Sequence, residues 1–208
     1  MHIDRRALIG LAPALALPVL GLSACKKADQ AVPDDMSMGN PAAKVTVIEY
    51  ASVACPFCGR WDREVFPAFK AKYIDTGKIH YVFREMLVGP DSEVASAAAG
   101  FLLARCAGKD KYFSVTEAIF HNQDGLRDDP RGTLLNVAKS AGLTEAQFDA
   151  CINDDAAMLA LNKRVQGYAK NNNVTSTPTF VINGKALEPG FHPLTDLDAA
   201  IAQAQSAG

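Results

Sequence analysis

A chain of 208 residues, 49% of them hydrophobic, is long enough to bury a sizeable core, so it does not depend on disulfides to fold. Its formal net charge of −2 comes without a basic patch, which argues against nucleic acid as a partner. The five cysteines therefore say more than the composition does.

The N-terminus carries Arg5 and Arg6, an apolar run from Ala7 to Leu22, and then Leu22-Ser23-Ala24-Cys25. A basic start, a short apolar stretch and small residues before a cleavage point describe a secretory signal peptide over residues 1–24. The run is shorter than the ~18 residues of a membrane span and contains Pro13 and Pro18, which argues against a permanent transmembrane helix. Leu-Ser-Ala-Cys resembles a bacterial lipobox, which would make Cys25 the lipidated first residue of the mature protein. The alternative is an ordinary signal peptide with Cys25 free near the cleavage site. Three acyl chains would hold the protein stably at a membrane surface, where one binds marginally. Arg5-Arg6-Ala7-Leu8-Ile9 fits twin-arginine export as well as general secretion. Residues 26–43, polar and containing Pro33 and Pro41, read as a flexible tether.

The first strand signal is Val45-Thr46-Val47-Ile48-Glu49-Tyr50, followed closely by Cys55-Pro56-Phe57-Cys58. Proline suits the first turn of a helix, where its missing N–H costs nothing. Trp61, Val65, Phe69 and Tyr73 then recur every four residues along that helix, which Pro67 should kink. After Thr76-Gly77, Ile79–Phe83 reads as a second strand, parallel to the first in a βαβ unit. From Asp91 to Asn173 the patterns are helical: Ser92–Ala107, Lys111–His121, Pro130–Ala141, Thr144–Ile152 and Asp154–Lys170. Thr144-Glu145-Ala146-Gln147 has the form of a capping box. Strand signals return in Thr179–Ile182, followed by the hairpin turn Asn183-Gly184, Lys185–Leu187 and a last helix, Leu194–Gln205. The order is β-α-β, a helical insertion, then β-β-α.

Two cysteines separated by two residues at the start of a helix that follows a strand are the layout of a redox-active dithiol. The Cys55 sulfur would face unpaired N–H groups and the positive end of the helix dipole, which favour thiolate and make it the nucleophile. Such placement lowers a cysteine pKa from about 8.5 into the range of about 3.5–7.5. Cys58, one turn further in, would be the shielded resolving thiol, and a low pKa makes Cys55 a good leaving group. A structural zinc site needs about four ligands, and no second Cys-x-x-Cys or paired histidine motif accompanies this one; His80, His121 and His192 lie in separate elements. No metal or cofactor is expected. Pro178 in Thr177-Pro178-Thr179-Phe180 enters a strand, where proline is tolerated only at a start or an edge. His121 near a helix end is read as a favourable charge at a C-terminus, and His192 as loop packing. Phe57, Phe101 and Phe113 could line an apolar surface, with core packing the default for the last two. Outside Cys25 four cysteines remain, and Cys106 and Cys151 on two insertion helices could be bonded or two separate buried thiols.

Glu49-Tyr50-Ala51-Ser52 before the Cys-Pro-Phe-Cys motif, Arg84-Glu85, Arg105-Cys106-Ala107, Cys151, Ser176-Thr177-Pro178-Thr179-Phe180 and Ile182-Asn183-Gly184 together resemble the DsbA family, its alphaproteobacterial members above all. The resemblance covers residues 42–205. It implies an α/β thioredoxin fold with an all-helical domain inserted between the βαβ half (44–90) and the ββα half (174–208), the insertion spanning 91–173. It implies that Cys55 forms the mixed disulfide with substrate and Cys58 resolves it. Thr177-Pro178 would be a cis-proline loop beside the dithiol, Glu49 an acid beneath it, and Cys106–Cys151 a second disulfide. Many DsbA proteins have histidine where this chain has Phe57, so the disulfide should be less strongly oxidising here. The expected activity is a periplasmic thiol oxidase acting as a monomer on reduced, unfolded exported proteins. A DsbB-like, quinone-linked membrane partner would re-oxidise it. A reductase or isomerase of the same fold is the alternative enzyme, and a lipid-anchored binding protein on an inert scaffold the non-enzyme reading.

Overall fold

The computed structural model describes residues 34–172 and 174–206, together with Ala31. The segment expected to be a signal peptide, Cys25 and the first part of the expected tether lie outside these residues. Among the described residues no helix is long and apolar enough to cross a membrane.

Strand β2 (Val45–Ala51) lies at the centre of a five-stranded sheet. Its alternation sets the two faces: Val45, Val47 and Ala51 enter the main core, and Ile48 and Tyr50 a smaller one on the other side. Helix α1 (Pro56–Glu64) leads to β3 (Ile79–Glu85), which pairs parallel with β2 as a βαβ unit requires. On the other flank of β2, β4 (Thr179–Ile182) pairs antiparallel and leads to the short β5 (Lys185–Ala186). Asn183 and Gly184, at φ 45° and 83°, make the turn between them, the double positive φ that an Asn-Gly hairpin supplies. The final helix, α9 (Leu194–Ser206), buries Leu197 and Ile201 in the main core.

Six helices fill the interval between the two halves: α3 (Asp91–Cys106), α4 (Tyr112–His121), α5 (Gln123–Asp128), α6 (Pro130–Ser140), α7 (Glu145–Ile152) and α8 (Asp155–Asn172). The sequence predicts all of these but α5, which is six residues long and too short to show a period. Thr144 caps α7 in a reciprocal capping box with Gln147, as the motif predicts. Helix α3 is buried at Ala97, Ala98 and from Gly100 to Ala104, and Gly100 lets it approach the loop before the dithiol closely: a Cβ there would sit 3.0 Å from Val53. The insertion therefore packs against the segment that carries the cysteines. Tyr168 of α8 covers the far face of the sheet with Tyr50, Val82 and Val181.

Two expectations need correcting. The tether assigned to residues 26–43 is not flexible throughout, because Met36–Gly39 forms an edge strand, β1, antiparallel to β3. It is anchored at its start by Asp35, buried with Arg84 at 3.0 Å and accepting a hydrogen bond from Tyr168 at 2.8 Å. The Arg105 guanidinium also donates to the Asp34 carbonyl. Second, Pro67 does not kink one long helix. Helix α1 stops at Glu64, α2 (Phe66–Phe69) restarts with Pro67 in its first turn, and a π turn follows over Lys70–Ile74. A proline lacks the N–H that a continuous helix needs there but fits the start of a new one. Trp61, Val65, Phe69 and Tyr73 remain buried across all three segments, so the apolar spacing outlasts the break.

Candidate active site

The end of β2 runs into the buried loop Ser52–Ala54, and Cys55 is the N-cap of α1 with extended backbone, Pro56 following at the first helical position. The free N–H groups of that first turn point toward the sulfur. The Thr177–Pro178 peptide is cis and brings the Thr177 carbonyl to 3.4 Å from Cys55 Sγ, which donates to it in the thiol form. Cys58 lies one turn deeper and is fully buried, whereas Cys55 keeps a small exposed surface. Both are free thiols, so this is the reduced form of the pair. Phe57, between them, is 59% exposed, a large apolar side chain facing solvent beside the nucleophile. Phe101 is core and Phe113 packs against it.

The two thiols are unequal. The Cys58 thiol, donating to Cys55, does most to lower the Cys55 pKa from 9.0 to about 6; burial opposes it, and Thr177 and the N–H groups of Cys58 and Phe57 assist. The buried Thr177 hydroxyl has no hydrogen-bond partner among the described residues. Burial, and then the neighbouring Cys55, push Cys58 well above its ordinary value. Near neutral pH the pair therefore holds one thiolate, on the outer sulfur.

Beneath the dithiol, Glu49 occupies a core-facing position of β2. Burial raises its pKa from 4.5 to about 8, against the opposing pull of a short hydrogen bond donated by the Tyr81 hydroxyl. Asp62, one turn beyond Cys58 on α1, is raised to about 7 by burial and by Glu117, with Arg63 opposing. Its Oδ1 lies 3.7 Å from His121 Nε2, which puts this histidine at a specific carboxylate as well as at the end of α4. Glu49, Asp62, Tyr81, Thr116, Glu117 and Phe120 line a cavity of about 320 Å³. The interior thus offers two carboxyls that exchange protons around neutral pH. Asp62 and Tyr81 escape a sequence reading, although the i, i+4 spacing of Cys58 and Asp62 places both on one helix face.

Cys106 at the end of α3 is bonded to Cys151 of α7, with Cα atoms 5.8 Å apart, so the alternative of two separate thiols does not hold. The bridge lies within the insertion, away from the dithiol. The sequence motif Arg84-Glu85 resolves into two buried ion clusters at the end of β3. Arg84 serves Asp35 and the Tyr50 hydroxyl, and Glu85 accepts from Arg105, Arg164 (3.0 Å) and Tyr112 (3.2 Å). His192 bonds the Glu188 carbonyl and Asp196 in a loop, as its reading as packing implies. Among the described residues no group of His, Cys, Asp and Glu could hold a metal ion.

The sequence matches the family described as Thioredoxin over residues 31–202. The chain belongs to the thioredoxin family. Among solved structures of that family, it superposes on Wolbachia pipientis alpha-DsbA1 with a TM-score of 0.78 and 27% identity, covering 88% of this chain and 96% of that one. A thioredoxin-like oxidoreductase from Silicibacter pomeroyi gives a TM-score of 0.68 at 25% identity, over 89% of this chain and 100% of the other. A Rickettsia bellii protein provisionally named a protein-disulfide oxidoreductase is 32% identical over 82% of this chain. The chain spans 64% of that relative's length. The thioredoxin fold with a helical insertion is therefore shared with DsbA structures, and the helical insertion is what sets this chain apart from a minimal strand-helix-strand and hairpin-helix unit.

Proposed function

We propose that this protein is an extracytoplasmic thiol:disulfide oxidoreductase that donates the Cys55–Cys58 disulfide to reduced exported proteins. The observation that carries the reading is the asymmetry of the pair: an outer sulfur at a helix N-terminus with a pKa of about 6, above a fully buried thiol raised well beyond its ordinary value. A substrate thiolate attacks Cys55 Sγ, the Cys55–Cys58 bond breaks, and its electron pair leaves on Cys58. The Glu49 carboxyl, held at a pKa of about 8, is placed to deliver a proton toward that buried thiolate. A second substrate thiolate then attacks the substrate sulfur of the mixed disulfide, and Cys55 leaves as a stabilised thiolate. The substrate has lost two electrons and gained a disulfide; the enzyme ends as the dithiol. The Thr177-Pro178 loop offers its backbone to the incoming peptide, and exposed Phe57 offers apolar surface to an unfolded one.

Re-oxidation falls to a DsbB-like, quinone-linked membrane partner, and the leader with Cys25 places the monomeric enzyme in the periplasm on a lipid anchor. Phe57 favours the reductase alternative in one respect, since it cannot donate a hydrogen bond to the Cys55 thiolate as a histidine does. Oxidation of a reduced unfolded protein by the purified disulfide form tests the proposal. Cys55→Ser should abolish it; Cys58→Ser, given the substrate in its disulfide form, should accumulate a mixed disulfide through Cys55 by exchange, releasing one substrate thiol, and Cys55→Ser should form none. Retained activity in Cys55→Ser refutes every redox reading.

A further inference from the structure

The loop that presents Cys55 is held from the insertion by a side chain that no motif announces. Gln123, the first residue of α5, is buried, and its Nε2 donates to the carbonyls of Val53 at 2.9 Å and Cys55 at 2.8 Å. Carbonyl oxygens only accept, so the amide must turn its NH₂ end toward them. The other end agrees: Oε1 faces Arg63 Nη1 at 3.5 Å, a donor that is itself fixed by the Phe120 carbonyl at 2.6 Å. Gly59 completes the fit. A Cβ at that position, directly after Cys58, would fall 2.0 Å from Gln123 Oε1 and 2.4 Å from its Cδ. Glycine in a helix interior is unfavourable by itself, so its place here is explained by the glutamine it admits. The Cys55 carbonyl also accepts the first helical hydrogen bond, from Gly59 N at 3.1 Å. One amide thus ties together the loop before the nucleophile and the first turn that stabilises it.

Resting on the oxidoreductase reading above, we propose that Gln123 is a positioning residue: a clamp by which the helical insertion holds the Val53–Cys55 loop so that the Cys55 sulfur stays on the N-terminus of α1. Without the clamp the two carbonyls lose a buried donor and the loop gains freedom, so the Phe57 and Cys58 N–H groups no longer converge on the thiolate. The insertion then contributes to sulfur reactivity as well as to substrate surface.

The test is the pH dependence of Cys55 thiolate absorbance and alkylation in the full reduced protein, with thermal melts run alongside. Wild type should titrate near pH 6. Gln123→Met, which keeps the volume but has no donor, should raise the midpoint by about one unit toward the ~8.5 of a free cysteine. Gln123→Ala should do the same. Gly59→Ala combined with Gln123→Ala removes the clash and restores helix propensity, so it should melt no lower than Gln123→Ala alone, yet its midpoint should stay raised. A midpoint that returns together with the melting temperature would mean that Gln123 is merely structural and would overturn the clamp. A wild-type midpoint near 6 that is unmoved in Gln123→Met would overturn it as well. A wild-type midpoint at the ordinary cysteine value would instead count against the oxidoreductase reading itself.

Discussion

Replacing Glu49 by glutamine should stabilise the reduced protein, and by an amount that grows with pH. In the folded state Glu49 keeps its proton up to about pH 8, whereas in the unfolded chain it releases it near 4.5. Between those values the folded state binds one more proton than the unfolded state, so the stability contributed by this site falls as pH rises. At pH 7 the gap covers roughly 2.5 pH units, worth roughly 3 kcal/mol at about 1.36 kcal/mol per unit. Glutamine has no charge to bury, and its amide oxygen can still accept from the Tyr81 hydroxyl. Asp62 contributes a slope of the same sign in both proteins, so the difference between them reads Glu49 together with its coupling to Asp62 and Cys55. Urea denaturation of the dithiol forms, followed from about pH 4.5 to about pH 8, measures it. Glu49→Gln should match wild type at the acid end and exceed it by up to ~3 kcal/mol near neutrality. Equal stability at every pH, or a variant weakened most near neutrality, would refute the claim that Glu49 is a buried, protonated acid.

Removing the second disulfide by substituting both Cys106 and Cys151 with alanine should lower stability. The bridge closes a loop of 45 residues, and loop entropy of that length corresponds to roughly 4 kcal/mol. Denaturation without reductant, in a background in which Cys55 and Cys58 are both replaced by serine, reads this loss directly, and an unchanged midpoint would contradict it. Glu85→Ala should cost about 3–5 kcal/mol, because it leaves the Arg105 and Arg164 guanidiniums without their shared buried carboxylate. A loss below about 1 kcal/mol in the same assay would show that the cluster is solvated in solution.

The elements legible in the sequence are those whose signals are local. The alternation of Val45–Tyr50, the Asn183-Gly184 turn and the Thr144 capping box each act within a few residues, and each stands where it was read. Strand β1 escapes a local reading because its partners are distant: Met36 pairs with Phe83, and Asp35 is buried by Arg84 and Tyr168. Nothing in a polar, proline-containing stretch reveals such partners. The same division runs through the site. Cys55 and Cys58 announce themselves by spacing, whereas Glu49 and the cis-proline role of Thr177-Pro178 are reached through the resemblance to the DsbA family. Tyr81 acquires meaning only when β3 pairs with β2 and brings its hydroxyl to Glu49, and Asp62 and Gln123 only when the insertion folds back over α1, so their roles depend on contacts up to 70 residues apart in sequence.

The reading turns on whether the outer sulfur is stabilised as a thiolate strongly enough to make the pair an oxidant. Thioredoxin, with a nucleophile pKa of about 7, sits near −270 mV. Cys55, at about 6, should destabilise its own disulfide relative to that reference. Equilibrating the Cys55–Cys58 pair against glutathione mixtures measures this most directly. A potential above that of thioredoxin, with the disulfide form easier to unfold than the dithiol, is the predicted result; a potential at or below it, with the disulfide the more stable form, would contradict the oxidase.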